Sequence, residues 1–447
     1  MNMGQAKNVL LINPWIYDFA AYDFWMKPLG LLYVASLIRR FTPHRLAFVD
    51  CLDRFHPGLA GLPAGKADGR GAFPKEEVPK PAIVRDVPRR FSRYGIPVAL
   101  FDEEIARVPR PDAVLVTSAM TYWYPGIQAV VELVRRRFGP VPIILGGIYA
   151  TLCPGHARAE TGADLVVPGP AEEGLLSALA EVLGGASPAA LDPAASDGPP
   201  APAFDLLRDR TWLPVLASRG CPLKCTFCAS SLLWRGFDQR PAASVLAEIL
   251  ESHARFGTRH FAFYDDALLS RKRLHAWPLF EGLAAAGPRW ALHTPNGLRV
   301  REIDRSTARL MRAAGFESPY LSLESTDEVL MKERGPKASA DDLVDALRAL
   351  EAAGFQRGAV SVYLITGLPG QSTDGIRDSV GFVRGLGAVP RMAHFSPIPG
   401  TAEWASLVRS GVLDEDSDPL LHNKTAFAYL KSGLTPDELG ALLHAPA

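Results

Sequence analysis

The sequence predicts an α/β protein in two parts: an N-terminal doubly wound, flavodoxin-like sheet, then an open six-stranded (βα)6 partial TIM barrel. Three observations predict it. Short apolar runs alternate with helical periodicity nearly throughout, the pattern of parallel sheets with helical crossovers. The alternation breaks over 185–202 in an Ala/Pro/Gly/Ser-rich stretch with almost no charge, which reads as an interdomain linker. Five strand-like runs precede that break and six follow it, too few for a closed eight-stranded barrel.

In the first half the expected strands are 9–13, 45–50, 113–118, 142–145 and 165–167, and the expected helices are 29–40, 126–138, 154–161 and 171–183. A ligand of such a sheet sits at the carboxyl ends of its strands. Residues 53–109 interrupt the rhythm: they are rich in Pro, Gly, Lys and Arg and show no sustained period. A gap of this length reads as a lid, a binding loop or a disordered insertion, and Arg89-Arg90 within it as solvated charge. In the second half strands at 212–218, 260–264, 290–293, 320–323, 360–365 and 392–395 alternate with helices at 243–255, 272–285, 305–314, 340–353 and 373–386. The expected domains are therefore 1–184 with the 53–109 insertion, a linker over 185–202, a core over 203–404 and a short extension over 405–447.

Composition narrows the function. A chain of 447 residues carries two or three domains. Its 48 Lys+Arg balance 48 Asp+Glu, so there is no global field for a phosphate backbone and no nucleic-acid partner is expected. Five cysteines are an odd count at low density, which points to a reducing, cytoplasmic setting. The apolar run at 9–12 ends at Asn13-Pro14 without a cleavage-like site, and no stretch approaches the roughly 18 residues of a membrane span.

The informative segment follows the first strand of the second half: Arg219-Gly220-Cys221-Pro222-Leu223-Lys224-Cys225-Thr226-Phe227-Cys228. Three thiolates spaced C-x3-C-x2-C on one loop can converge on one metal centre. With a four-iron cluster, three protein ligands leave one iron open to a small molecule. A zinc site completed by histidine, or three structural cysteines, are the other readings of the bare spacing.

The spacing, the aromatic before the third cysteine and the place after the first strand of a six-fold βα pattern resemble the radical S-adenosylmethionine superfamily. The resemblance implies a 4Fe-4S cluster on Cys221, Cys225 and Cys228, whose open iron chelates S-adenosylmethionine for reductive cleavage to a 5′-deoxyadenosyl radical. It also implies an external electron donor of flavodoxin or ferredoxin type. Phe263-Tyr264-Asp265-Asp266 closes the second strand, where the family holds the amino group of S-adenosylmethionine; Asp265 and Asp266 stand where a Gly-Gly-Glu form is commoner. Asn296-Gly297 follows the third strand. Ser322 and Glu324 end the fourth, placed for the ribose or methionine moiety, with Lys332 and Arg334 beyond them as carboxylate partners or as a solvated helix end. Gly367, in Ile365-Thr366-Gly367-Leu368-Pro369-Gly370, and Pro399, in Pro397-Ile398-Pro399-Gly400-Thr401, stand where the family meets adenine. His293 and His394 read either as a proton relay or as core histidines.

The first half resembles the cobalamin-binding domain that precedes many radical S-adenosylmethionine domains. Asn13-Pro14 ends the first strand, Pro28-Leu29-Gly30 opens a helix, and Ser118-Ala119-Met120 is followed by Gly146-Gly147. The resemblance implies that Ser118, Gly146 and Gly147 embrace the corrin's nucleotide tail. It also exposes a departure: after Asp50 come Cys51-Leu52-Asp53-Arg54-Phe55, without the histidine of the Asp-x-His-x-x-Gly motif that binds cobalt in methionine-synthase-like domains. If cobalamin binds, it is therefore expected base-off with no histidine on cobalt; the same absence also reads as a domain that has kept the fold and lost the cofactor. Tyr122, Trp123 and Tyr124 form an aromatic group that covers a corrin face or walls an interface, and Cys51 and Cys153 read as buried small residues.

The expected function is a cobalamin-dependent radical S-adenosylmethionine enzyme, a C-methyltransferase acting on an unactivated carbon of a small-molecule, lipid or secondary-metabolite substrate. A rearrangement or cyclisation without methyl transfer uses the same pair of domains. A methylthiotransferase acting on transfer RNA would need more cysteines, and a zinc-binding or redox-sensing module would need no S-adenosylmethionine pocket.

Overall fold

The computed structural model describes residues 5–60, 65–184, 200–335 and 338–432. They form two compact units, both α/β with parallel sheets. The boundary falls between Arg210 and Thr211, and Ser417–His422 belongs to the first unit. No helix among the described residues is long and apolar enough to cross a membrane.

The first unit runs β1 (Asn8–Asn13), β2 (Ile16–Asp18), α1 (Leu29–Phe41), β3 (Arg45–Asp50), β4 (Lys75–Glu77), β5 (Ser92–Tyr94), α2 (Val98–Arg107), β6 (Ala113–Val116), α3 (Tyr124–Phe138), β7 (Ile143–Leu145), α4 (Ile148–Leu152), α5 (Pro154–Glu160), β8 (Leu165–Val166) and α6 (Ala171–Leu183). The five expected strands form one parallel sheet in the order β3-β1-β6-β7-β8. Val9, Leu10, Leu11 and Ile12 are each at most 1% exposed, as a strand covered on both faces requires. Val9 and Leu11 pack with Ala35 and Ile38 of α1 and Leu176 and Leu179 of α6. Each large aliphatic so buried contributes about 2 kcal/mol. The chain passes from β1 to β3 on one side and then to β6 on the other, so a crevice opens at the carboxyl ends of β1 and β6.

The 53–109 stretch differs from its expectation. It supplies β4 and β5 to a small antiparallel sheet, order β2-β5-β4, and it ends in α2, the crossover helix from β3 to β6. The Pro/Gly punctuation around α2 hides a sound helical signal: Phe101 and Ile105, four residues apart, are fully buried. Phe101 packs on Trp15 with ring centroids 4.8 Å apart.

Residues 185–199 of the expected linker lie outside the described residues. The second unit begins at Thr211 rather than 203, because the preceding stretch packs on α1. Ala203 N donates to Leu32 O at 3.1 Å, Arg39 pairs with Asp205 at 2.8 Å, and Lys27 pairs with Asp209 at 3.2 Å.

The second unit runs β9 (Trp212–Val215), β10 (Ser218–Arg219), α7 (Ser230–Leu233), β11 (Asp238–Gln239), α8 (Ala242–Phe256), β12 (His260–Phe263), α9 (Ala276–Ala285), β13 (Ala291–His293), β14 (Leu298–Arg299), α10 (Arg305–Ala314), β15 (Tyr320–Glu324), α11 (Glu328–Arg334), α12 (Ala340–Ala352), β16 (Ser361–Thr366), α13 (Thr373–Gly385), β17 (Val389–His394), α14 (Ala402–Arg409) and α15 (Lys424–Leu430). All six expected strands are present and neighbours follow chain order, but the ladder divides into β9-β12-β13 and β14-β15-β16-β17. The division falls where Thr294-Pro295 leaves β13. Pro295 has no N–H to give, and the Thr294 hydroxyl takes over the ladder's role, accepting from Tyr320 N at 3.1 Å.

The expected 212–218 strand also divides. Parallel pairing stops at Val215, and Ser218 and Arg219 turn to pair antiparallel with Gln239 and Asp238. This two-stranded clip closes the base of the cysteine loop. The 404 boundary fares no better, since α14 runs through it.

Candidate functional site

In the first unit the crevice at the ends of β1 and β6 is a cleft of about 500 Å³, open to solvent, lined by residues that include Asn13, Trp15, Lys27, Leu52, Ser118 and Trp123. Of these, Asn13 is buried and joins Asp50. Asn13 Nδ2 donates to Asp50 at 2.7 Å and Leu52 N donates to it at 2.9 Å, while burial raises the Asp50 carboxyl to about 6. Burial likewise lowers Lys27, against the pull of Asp209.

Ser118, Gly146 and Gly147 are brought together. Ser118 Oγ donates to Gly146 O at 2.7 Å, and Ile148 N donates to Ser118 O at 2.9 Å. Gly147 has φ +99° and ψ −165°, and a Cβ there would lie 2.3 Å from Ser118 O, so only glycine fits. Gly146 is different: its added Cβ would meet only Val167 O, at 3.8 Å. Of the aromatic trio only Trp123 lines the cleft, its Nε1 donating to Asp18 at 2.7 Å. Tyr122 and Tyr124 are buried, and Tyr124 donates to Asp418 at 3.1 Å. Cys51 is fully buried, and burial pushes the thiols of Cys51 and Cys153 up, the latter to about 12, as for inert structural cysteines.

In the second unit Cys221, Cys225 and Cys228 lie on the loop between β10 and α7, with Cys225 buried and the other two half-buried. Among the described residues no three His, Cys, Asp or Glu side chains gather at metal-holding range. The donor set still fits an iron–sulfur cluster, because three soft thiolates on one short loop are the ligands such a cluster takes.

Asp265 and Asp266 hold the two ends of this loop. Asp265 accepts from Ala217 N at 3.1 Å and from Ser218 Oγ at 2.5 Å, ahead of the first cysteine. Asp266 accepts from Ser230 Oγ at 2.7 Å, just after the third. Arg240 anchors the closing strand by donating to Leu216 O at 3.1 Å and pairing with buried Glu248 at 2.8 Å.

Burial raises the Asp265 carboxyl to about 6, which gives a testable sign. Its stabilising contribution is full below the unfolded value near 3.8 and is lost as pH rises through about 6. Asp265→Asn is expected to flatten that part of the stability–pH curve, read by thermal melts from pH 4 to 7. An unchanged slope would remove Asp265 as its source.

Beyond the loop, Asn296 Nδ2 donates to Tyr264 O at 2.7 Å, linking the ends of β13 and β12. Ser322 Oγ lies beside Gly297, 2.4 Å from where a Cβ would stand. Glu324, buried at the end of β15, is a rare non-glycine residue with positive φ, +76°, and it sits at a register shift against β16. Such a bulge re-aims a side chain and costs about 1–3 kcal/mol in strain. Gly367 has open space around it, and Pro399 precedes the α14 cap, where Thr401 Oγ1 accepts from Trp404 N at 3.2 Å.

Lys332 is exposed at its helix end. The Arg334 guanidinium is engaged within the protein, with Glu403 at 2.9 Å and Pro369 O at 2.7 Å. His293 stacks on His260 with 3.2 Å between ring nitrogens, and His394 bonds Thr366 at 2.7 Å. Sequence reasoning missed Thr226, Arg240, Glu248 and Glu403, because none stands in a local pattern.

Residues 215–383 match the model of the Radical SAM superfamily, and residues 95–179 match the B12 binding domain. The chain is similar to an uncharacterized methyltransferase of Pyrococcus horikoshii, 26% identical over 230 residues, 48% of this chain and 47% of that protein. It is also similar to bacteriochlorophyllide d C-12(1)-methyltransferase of Chlorobaculum tepidum, 26% identical over 194 residues, 42% of this chain and 41% of that protein. The matches thus span under half the length of these curated relatives. Among solved structures, the radical S-adenosylmethionine methyltransferase TsrM of Kitasatospora setae, with tryptophan substrate and an S-adenosylmethionine analogue bound, shares the fold at a TM-score of 0.66 and 17% identity, covering 91% of this chain and 76% of that one. One chain thus carries a stretch that matches the Radical SAM superfamily model, with the three thiols on the loop near its start, and ahead of it a stretch that matches the B12 binding domain model.

Proposed function

We propose that this protein is a cobalamin-dependent radical S-adenosylmethionine methyltransferase acting on an unactivated carbon of a small-molecule, lipid or secondary-metabolite substrate. The observation that carries the reading is the presence, in one chain, of an open cleft at a sheet's switch point and a three-thiol loop at the mouth of a parallel βα unit. The methyltransferase names of the relatives support methyl transfer over rearrangement or cyclisation. Strand order supports the finer architecture, a flavodoxin-like first domain and an open (βα)6 partial barrel.

Cys221, Cys225 and Cys228 would hold the 4Fe-4S cluster, Ser118, Gly146 and Gly147 the tail of cobalamin, and Asn296, Ser322, Glu324, Gly367 and Pro399 would face S-adenosylmethionine. When bound, these groups supply a carbon-centred radical and a transferable methyl group. The chain's own work is positional. Asp265 and Asp266 pin both ends of the ligand loop, strain aims Glu324 from the bulge, and Gly147 lets the β6 and β7 loops meet beneath the cleft. Among the described residues no histidine lines that cleft, which supports base-off cobalamin; histidine-ligated cobalt in the Co(II) electron paramagnetic resonance spectrum would contradict it. The electron is taken to come from a flavodoxin- or ferredoxin-type donor.

Anaerobic reconstitution with iron, sulfide and cobalamin tests the reading. The expected result is about four irons and about one cobalt per chain, with reductant-dependent 5′-deoxyadenosine. With a substrate in hand, the product should gain one methylene unit in mass. Iron without cobalt would discard cobalamin, and zinc with neither would overturn the assignment.

A further inference from the structure

Resting on the reading that the three cysteines hold a cluster, we infer that Arg334 and Glu403 are positioning residues for it: their ion pair clamps Thr226 and so sets where the thiols of Cys225 and Cys228 stand. Thr226 lies between those two cysteines, and all three of its polar groups go to this pair. Its N–H donates to Arg334 O at 3.1 Å, its carbonyl accepts from Glu403 N at 3.0 Å, and its hydroxyl donates to Glu403 Oε1 at 3.0 Å. The same Oε1 lies 2.9 Å from Arg334 Nε, in a pair whose side chains are only 16% and 8% exposed.

The clamp is anchored on three elements. Arg334 ends α11, Glu403 lies in the first turn of α14, and Arg334 Nη2 reaches Pro369 O at 2.7 Å beyond β16. Gly335 then lies directly against the middle cysteine. With φ +104°, a Cβ there would stand 3.1 Å from Cys225 Cα and 3.4 Å from its Sγ. The turn itself is closed by Cys228 N donating to Cys225 O at 3.1 Å.

A buried ion pair is a poor source of net stability, since desolvation offsets most of the attraction. What this one provides is geometry. Thr226 has no freedom to rotate its peptide planes while both ends and its hydroxyl are held, and a ligand loop held by a supporting shell binds its metal 10- to 100-fold better as a rough rule. Neither residue is assigned contact with the cluster or the substrate.

The test uses the full chain under anaerobic conditions, with iodoacetamide as the probe of the metal-free protein and iron plus sulfide as the probe of loading. In Glu403→Ala the alkylation rate of Cys225 is expected to rise about tenfold, as loss of charged hydrogen bonds predicts. Iron retained after reconstitution should fall by about half or more, and the reduced cluster's paramagnetic resonance signal should shift or broaden. Thr226→Ser keeps the hydroxyl and should match the parent, as should Glu351→Gln, which weakens the remote Arg357 pair.

Parent alkylation rates and an unshifted signal in folded Glu403→Ala would overturn the proposal. If that variant loses its helical circular dichroism, Glu403→Gln and Thr226→Val take its place, and the same two readouts decide. If the parent chain takes up no iron, the cluster reading fails by itself, while the alkylation comparison still decides whether Arg334 and Glu403 hold the loop.

Discussion

Alanine at Cys221, Cys225 and Cys228 together is expected to bring bound iron and reductant-dependent 5′-deoxyadenosine to background while leaving the chain folded. The three positions lie on a loop rather than in the sheet core, and two of the three are only half-buried, so their truncation leaves a small apolar penalty. What is lost is the set of thiolate ligands, for which no other cysteine can substitute: Cys51 and Cys153 belong to the other unit, with thiols that burial keeps protonated. Metal analysis and chromatography of the nucleoside check it. Iron retained at parental level in the triple variant would remove the loop as the cluster site and with it the proposed function.

The second large effect is conformational. Gly147→Ala is expected to destabilise the first unit by about 3–5 kcal/mol, combining a backbone region that is essentially glycine-only with a buried collision. The collision is with the Ser118 backbone, 2.3 Å from the new Cβ, and Ser118 is itself held by hydrogen bonds to both glycines' segments. Gly146→Ala next door is expected to stay within about 1 kcal/mol of the parent, because its space is open. Yet a cofactor tail running past Gly146 would collide with that methyl, so cobalt uptake should fall while the melting temperature holds. Equal melting temperatures for the two variants would refute the account of Gly147. Full cobalt uptake by Gly146→Ala would move the tail elsewhere.

Read from the chain alone, the elements with short-range signals are right. The apolar run ending in Asn13, the 45–50 strand and the Arg305–Ala314 helix lie where periodicity places them, because that signal depends on neighbours within a few residues. The α2 helix was missed for the converse reason: its two buried apolar residues are outweighed locally by Pro and Gly, and only packing on Trp15 makes the helix worth forming.

At the site the same division holds. The C-x3-C-x2-C spacing is legible because three ligands on one short loop need no tertiary information, and it determined the candidate cluster ligands. It could not determine what holds them. Asp265 looks like a ligand residue by position, and the fold gives its carboxylate to Ala217 and Ser218, 48 and 47 residues earlier. Arg334 looks like a carboxylate partner, and the fold gives it to Glu403. Thr226 and Glu403 are 177 residues apart, and their contact exists only once α14 has packed its first turn against the cysteine loop. By itself the sequence determined the element order, the thiol loop and the glycine pair, each encoded over a few residues. Tertiary structure decided the strand order β3-β1-β6 that opens the cleft, the break between β13 and β14, and the clamp on Thr226, because each depends on pairing segments that only the folded core brings within hydrogen-bonding distance.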